Sequence, residues 1–139
     1  MTSMSYGDVL LVPQYSDIES RKALSTTNNL GNIKLGLPII SSPMDTVTEL
    51  EMAYAMHTSG GLGIIHRYNS IEEQAKIVKD TQVGEAIVGA AIGVTGDYQE
   101  RARELVNSGA NVLCVDVAHG HHSMMRDALR HLKEEYGGD

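Results

Sequence analysis

Four short apolar runs punctuate the chain: Leu37 to Ile40, Leu62 to Ile65, Ile87 to Ile92 and Val112 to Val115. All are rich in β-branched residues and read as strands. None alternates with polar positions. A strand that is apolar throughout is buried on both faces, the mark of a parallel sheet covered by helices.

The intervals between these runs carry helical patterns with recognisable starts. Thr48 with Glu51 and Ser70 with Glu73 read as capping boxes, and Asp97 with Glu100 as a similar arrangement. Gly60, Gly84 and Gly109 follow near the helix ends. The last helix is expected from Ser123 to Tyr136, with Met125, Leu129, Leu132 and Tyr136 on one stripe, charges on the other faces, and Gly137 and Gly138 at its end. Strand centres therefore recur about every 25 residues with a helix in each interval, which makes four consecutive βα units of an α/β fold. A barrel and an open doubly wound sheet both satisfy this pattern. Residues 1–36, with Leu10 to Val12, Pro13 and a polar stretch from Ser16 to Asn32, read as an N-terminal extension of turns and a short hairpin ahead of the βα region at 37–139.

In parallel α/β folds the chemistry lies beyond the C-terminal ends of the strands, because the loops there share one side. The four runs lead into Ser41, Ser42, Pro43, Met44 and Asp45; into His66, Arg67 and Tyr68; into Gly93, Val94, Thr95 and Gly96; and into Asp116, Val117, Ala118, His119 and Gly120. Asp116 is either a ligand-facing carboxylate or a cap for the next loop, and its strand-end position favours the first. Asp45, just ahead of a helix start, divides evenly between loop support and ligand contact. His66 is a catalytic base or a hydrogen-bonded strand-end histidine. His119, His121 and His122 lack the companion ligands of a zinc site, so no metal is expected. Gly93 to Gly96 suggests close approach of a ligand to backbone but lacks the GxGxxG spacing of a dinucleotide fingerprint.

Composition narrows the class. The 139 residues are 42% hydrophobic and 21% charged, as in a single soluble domain. Phe and Trp are absent, so the core rests on Ile, Leu, Val, Met, Ala and six tyrosines. A net charge of −7 argues against nucleic-acid or anionic-membrane partners. No apolar run approaches the ~20 residues of a membrane span, and the N-terminus lacks a signal pattern, so a cytoplasmic location is expected. The one cysteine, Cys114, suits a reducing compartment; inside a strand, it reads as a buried, inert thiol.

Four ordered motifs carry a family resemblance: Gly7-Asp-Val-Leu-Leu-Val-Pro-Gln-Tyr-Ser-Asp17, Ser41-Ser-Pro-Met-Asp-Thr-Val-Thr-Glu49, Gly60-Gly-Leu-Gly-Ile-Ile-His-Arg67 and Val115-Asp-Val-Ala-His-Gly-His121. Together they resemble the IMP dehydrogenase and GMP reductase family, whose (βα)8 barrel agrees with the repeat. The resemblance implies that residues 37–139 are the first half of such a barrel. It implies that Ser42 and Met44 touch the purine nucleotide and that Asp116 faces the nicotinamide ribose of NAD. Val94 and Thr95 would approach the adenosine part, without the stacking surface some members use there.

The family reaction adds a cysteine thiolate to the purine ring, transfers hydride to NAD and hydrolyses the adduct with an activated water. In the family, that cysteine, the main phosphate-binding segments and the water-activating flap belong to the second half of the barrel. Cys114 does not match the cysteine loop, so no catalytic residue is expected here. The regulatory CBS modules of many IMP dehydrogenases are absent, since only Thr81 to Ala86 joins the second helix to the third strand. GMP reductases also lack them and use NADP, but the Ser-Ser-Pro-Met and Ala-His-Gly-His segments lean towards the dehydrogenase. The implied function is the N-terminal half of an IMP dehydrogenase-like oxidoreductase, converting IMP, NAD and water to XMP and NADH. Inactive alone, it would be completed by a C-terminal half-barrel or by self-association that covers the exposed edge strands. The alternatives are a GMP reductase half-barrel and a non-catalytic nucleotide-binding or structural fragment.

Overall fold

Two segments without a polar side chain, Leu62-Gly-Ile-Ile65 and Val88-Gly-Ala-Ala-Ile92, form strands in which every residue is buried. They are the centre of the sheet. The computed structural model describes residues 3–137, in the order β1 (Asn28–Leu30), β2 (Ile33–Leu35), β3 (Ile40–Ser41), α1 (Leu50–Thr58), β4 (Leu62–Ile65), α2 (Ile71–Thr81), β5 (Val88–Ile92), α3 (Tyr98–Asn107), β6 (Val112–Val115) and α4 (Ser123–Tyr136). Gly138, placed above at the end of the last helix, lies outside the described residues.

Strands β3, β4, β5 and β6 are parallel and lie side by side in sequence order, with Ile40 opposite Leu62, Ile64 opposite Gly89 and Ala91 opposite Cys114. This order lacks the reversal of a doubly wound sheet and is that of successive units in a βα barrel. Among the described residues the sheet is open, with β3 and β6 as its outer strands. The position shows in their burial: β6 is half-buried along its length, and Ile40 of β3 is exposed.

Alternation along the strands separates two apolar layers. Ile65, Val88, Ala90 and Ile92 point towards the helices and meet Ala53, Val78, Ala102, Leu105 and Leu132. Leu62, Ile64 and Ala91 point the other way, with Val112 and Cys114 beside them, and meet Ile33 and Leu35 of the antiparallel hairpin β1–β2. The β1–β2 hairpin thus lies against this face of the sheet through Ile33 and Leu35, while residues 3–32 are exposed. Helix α1 packs tightly on the sheet at Gly63, where an added Cβ would fall 2.6 Å from the Ala53 Cα.

Two helices end in the same way. After α1, the Gly60 N–H donates to the His57 carbonyl and the Gly61 N–H to the Met56 carbonyl; after α3, Gly109 donates to Val106 and Ala110 to Leu105. Both are Schellman endings, which need a residue at positive φ, and Gly60 and Gly109 supply it at +84° and +98°.

Several expectations need correction. The first strand is not Leu37 to Ile40 but Ile40–Ser41, because Pro38 has no N–H for a ladder and the Leu37 N–H is taken by the Gly60 carbonyl. Thr48 does not cap α1. The N-cap is Glu49, and the Thr48 hydroxyl is buried against the preceding loop. Ser70 and Glu73 do form their capping box, whereas Asp97 at the start of α3 turns its carboxylate to Arg101 instead of to backbone. On α4 the buried positions are Ala128 and Leu132, and Leu129 is exposed. Cys114 is half-buried, as its place on an outer strand dictates.

Candidate functional site at the strand ends

The loop leaving β3 is pinned by Thr48. Its hydroxyl donates to the Ser42 carbonyl at 2.7 Å and lies 2.9 Å from Ser41 Oγ. The Ser42 carbonyl also accepts the Met44 N–H, and the Met44 carbonyl accepts the N–H groups of Val47 and Thr48. The result is a tight turn that leaves the Ser42 and Met44 side chains exposed. A main chain held this way has little freedom left to lose, and it carries the hydroxyl and the thioether on the open face of the loop.

The loop leaving β4 begins with His66, which is buried and fully used. Nδ1 accepts the Tyr68 N–H at 3.1 Å, so Nε2 carries the proton and donates it to Glu49 at 3.0 Å. It is therefore the hydrogen-bonded strand-end histidine and not a free base. Arg67 follows and runs sideways across the sheet end: its Nη1 lies 3.6 Å from where a Cβ on Gly93 would stand, and its Nη2 donates to the Asp116 carbonyl at 3.3 Å. The Arg67 guanidinium also sits over the Tyr68 ring at 5.7 Å.

The loop leaving β5 places Val94 half-buried and Thr95 exposed, between Gly93 and a Gly96 at φ +64°. Asp116 ends β6, its N–H donating to the Ile92 carbonyl, with its carboxylate half-exposed and 3.8 Å from Arg67 Nε. The ends of β4, β5 and β6 are thus joined through Arg67, Gly93 and Asp116. The hydrogen bonds of Ser42 and Met44, by contrast, stay within their own loop.

Charge at this end is mixed. Asp45 and Glu49, with His66 and Tyr68, line an open cleft of about 440 Å³ on the helix side of the first two loops. A second cleft of about 430 Å³ lies beside the start of α4, lined by His121, His122, Met125 and Arg126. Neither is lined by Ser42, Asp116, Val94 or Thr95, which stand on the open strand-end surface. His122 caps α4, its Nδ1 accepting the Met124 N–H, and its ring meets that of His119 edge-on at 6.3 Å. Among the described residues no three of His, Cys, Asp and Glu are grouped to hold a metal ion, and no helix is long and apolar enough to cross a membrane. Burial, and secondarily the Asp116 carboxylate, push the Cys114 thiol up from its usual range, the opposite of an activated nucleophile.

Two residues behind these loops that strand-end position does not single out, Gln74 and Arg101, are buried polar groups in the helix layer. The available signal was their place on the inward stripe of α2 and α3, three or four residues from Ile77, Val78 and Leu105.

The model of the IMP dehydrogenase / GMP reductase domain matches residues 3–138. Among curated relatives, inosine-5'-monophosphate dehydrogenase of Nitrosopumilus maritimus is 44% identical over 96 residues, covering 68% of this chain and 20% of that protein. The enzyme of the same name from Cryptosporidium parvum is 33% identical over an alignment covering 98% of this chain and 44% of the relative. GMP reductase of Leishmania donovani is 51% identical over 77 residues, or 55% of this chain and 16% of that protein. The chain spans less than half the length of each.

Proposed function

The chain belongs to the family of the IMP dehydrogenase / GMP reductase domain, and on that premise we propose that it supplies the purine-nucleotide and dinucleotide contacts of an IMP dehydrogenase-type oxidoreductase. The observation that carries this reading is the convergence of four successive strand-end loops on one side of a parallel sheet, where α/β enzymes hold their ligands. Ser42 and Met44 contact the purine nucleotide. Asp116 offers a half-exposed carboxylate suited to a ribose diol, and Val94 and Thr95 border the adenosine part of the dinucleotide. These residues fit NAD, which would supply the hydride acceptor.

The half-barrel is the unit that we infer residues 37–139 provide, without CBS modules. No covalent step is assigned to this segment, because its cysteine lies within β6 with a disfavoured thiolate. The nucleophile then comes from a complementary half-barrel, and the outer strands β3 and β6 are where such a half would add its own strands. A second copy of the chain would meet the same edges, and either assembly is compatible with a cytoplasmic enzyme.

The test is NADH formation from IMP and NAD, with the chain alone and mixed with a separately produced C-terminal half of a family member. Activity only on mixing supports the reading, and no activity with any partner refutes it. The high identity to a GMP reductase over 77 residues favours one second reading, in which the completed enzyme oxidises NADPH with GMP as acceptor. Running both substrate pairs in the same mixture separates the two.

A further inference from the structure

Arginine and glutamine are seldom fully buried, and removing a guanidinium from water is costly unless every donor is used. Here Gln74 of α2 is completely buried and Arg101 of α3 is 7% exposed. The Gln74 side-chain amide donates to the Ala91 carbonyl at 2.9 Å and to the Ile65 carbonyl at 3.4 Å, near the C-terminal ends of β5 and β4. Its oxygen accepts from Arg101 Nη1 at 2.8 Å. Arg101 Nη2 donates to the Asn69 carbonyl at 3.2 Å and to the Asp97 carboxylate at 2.7 Å, and Nε reaches the same carboxylate at 3.1 Å.

Apart from the Arg101–Gln74 bond that links the two helices, each bond ends on one of two loops or on the strand leading into it. Asn69 lies in the β4 loop that carries Arg67; Asp97 closes the β5 loop that carries Val94 and Thr95. Apolar side chains of similar volume would hold α2 and α3 on the sheet about as well, since buried ionic groups gain little stability over well-packed hydrophobic ones. Hydrogen bonds add direction: they fix the height of one loop relative to the other, which apolar contact leaves free to slide.

We infer that Gln74 and Arg101 are positioning residues, forming a buried latch that locks the β4 and β5 loops in fixed relation so that Arg67, Val94 and Thr95 are held in place for a dinucleotide. What the loops hold rests on the function proposed above, whereas the coupling of the loops does not.

The test uses the full chain and the double variant Gln74→Met with Arg101→Met, which replaces the network with unbranched apolar side chains. Backbone amide relaxation should show order parameters at Asn69, Val94 and Thr95 falling from about 0.85 to below about 0.6, with β5 and α4 unchanged. Loops as rigid as in the wild type, or a uniform loss of order along the chain, would overturn the latch. Should the double variant fail to fold, Arg101→Lys keeps the charge and removes the fork. Loosening confined to Asn69 and Asp97 is required of it, and wild-type order there overturns the inference.

Titration with NAD then separates the two readings. Absence of NAD-induced shifts at Val94, Thr95 and Asp116 in the wild type counts against the proposed cofactor site and leaves the loop coupling to stand on relaxation alone. Where the wild type responds, the loosened variant should bind about tenfold more weakly, because fewer molecules hold the competent loop pair. Equal affinity would show that the latch does not serve the ligand.

Discussion

Arg67 reaches across the end of β5 to Asp116, its Nη2 donating to the Asp116 carbonyl at 3.3 Å while Nε stands 3.8 Å from the carboxylate. Both side chains are about one-third exposed and the charged atoms stand 3.8 Å apart, Nε itself being buried without a hydrogen-bond partner, so the pair is loose and contributes less than ~1 kcal/mol to folding. Asp116→Ala is therefore expected to leave the melting temperature nearly unchanged and to raise KM for NAD in the completed enzyme. Wild-type NAD kinetics would remove Asp116 from the cofactor site.

Thr48 acts on the first loop from below. Thr48→Val keeps the shape of the side chain but removes the hydroxyl that donates to the Ser42 carbonyl, which keeps the Met44 N–H, a loss of about 0.5–1.5 kcal/mol. Urea unfolding should show it as a lower midpoint with the same slope. Ser70→Ala removes a solvent-exposed capping box and should cost about 1 kcal/mol.

Two glycines in neighbouring strands should respond differently to the same added methyl. At Gly63 the new carbon would stand 2.6 Å from the Ala53 Cα, so the α1 backbone must shift, at about 1–3 kcal/mol. At Gly89 the nearest atom is the Ile64 Cδ1, which can rotate aside. Gly63→Ala is expected to be the more destabilising of the pair by chemical denaturation; the reverse order would show that α1 yields more readily than the strand packing implies.

The Cys114 thiol, raised from its usual 9.0 by burial and then by Asp116, should react with iodoacetamide more slowly than a free thiol at pH 8. Because its folded-state value lies above the unfolded one, the folded chain binds the proton more tightly. That stabilisation is complete below pH 9 and is lost as pH rises through the folded value. The melting temperature of the wild type should fall relative to Cys114→Ala above that point, and parallel curves would place the thiol in water.

The parts of the fold legible in the sequence are those where one physical demand dominates. The strand at Leu62 to Ile65 and the helix at Ser123 to Tyr136 have the bounds read from pattern, because burial or amphipathic spacing leaves no alternative. Thr48 departs from its expected role because a threonine three residues before a glutamate satisfies the capping pattern whether its hydroxyl turns to the helix or, as here, to the loop behind. The strand-end loops can be located from the order of strands and helices in the sequence, whereas the reach of Arg67 across Gly93, and the burial of Gln74 and Arg101, depend on which helices and strands become neighbours. No local pattern encodes that.

The sequential order of the sheet also bears on how the chain is made. Each of β4, β5 and β6 pairs with the strand synthesised one unit earlier, so a nascent chain always extends a template already in place. The hairpin carrying Ile33 and Leu35 is made before the parallel strands, and its apolar side meets a partner when Leu62 and Ile64 arrive. Closure of contacts thus proceeds in steps of one βα unit, with short loops at each step. A pause in translation between units would leave a smaller version of the same open sheet.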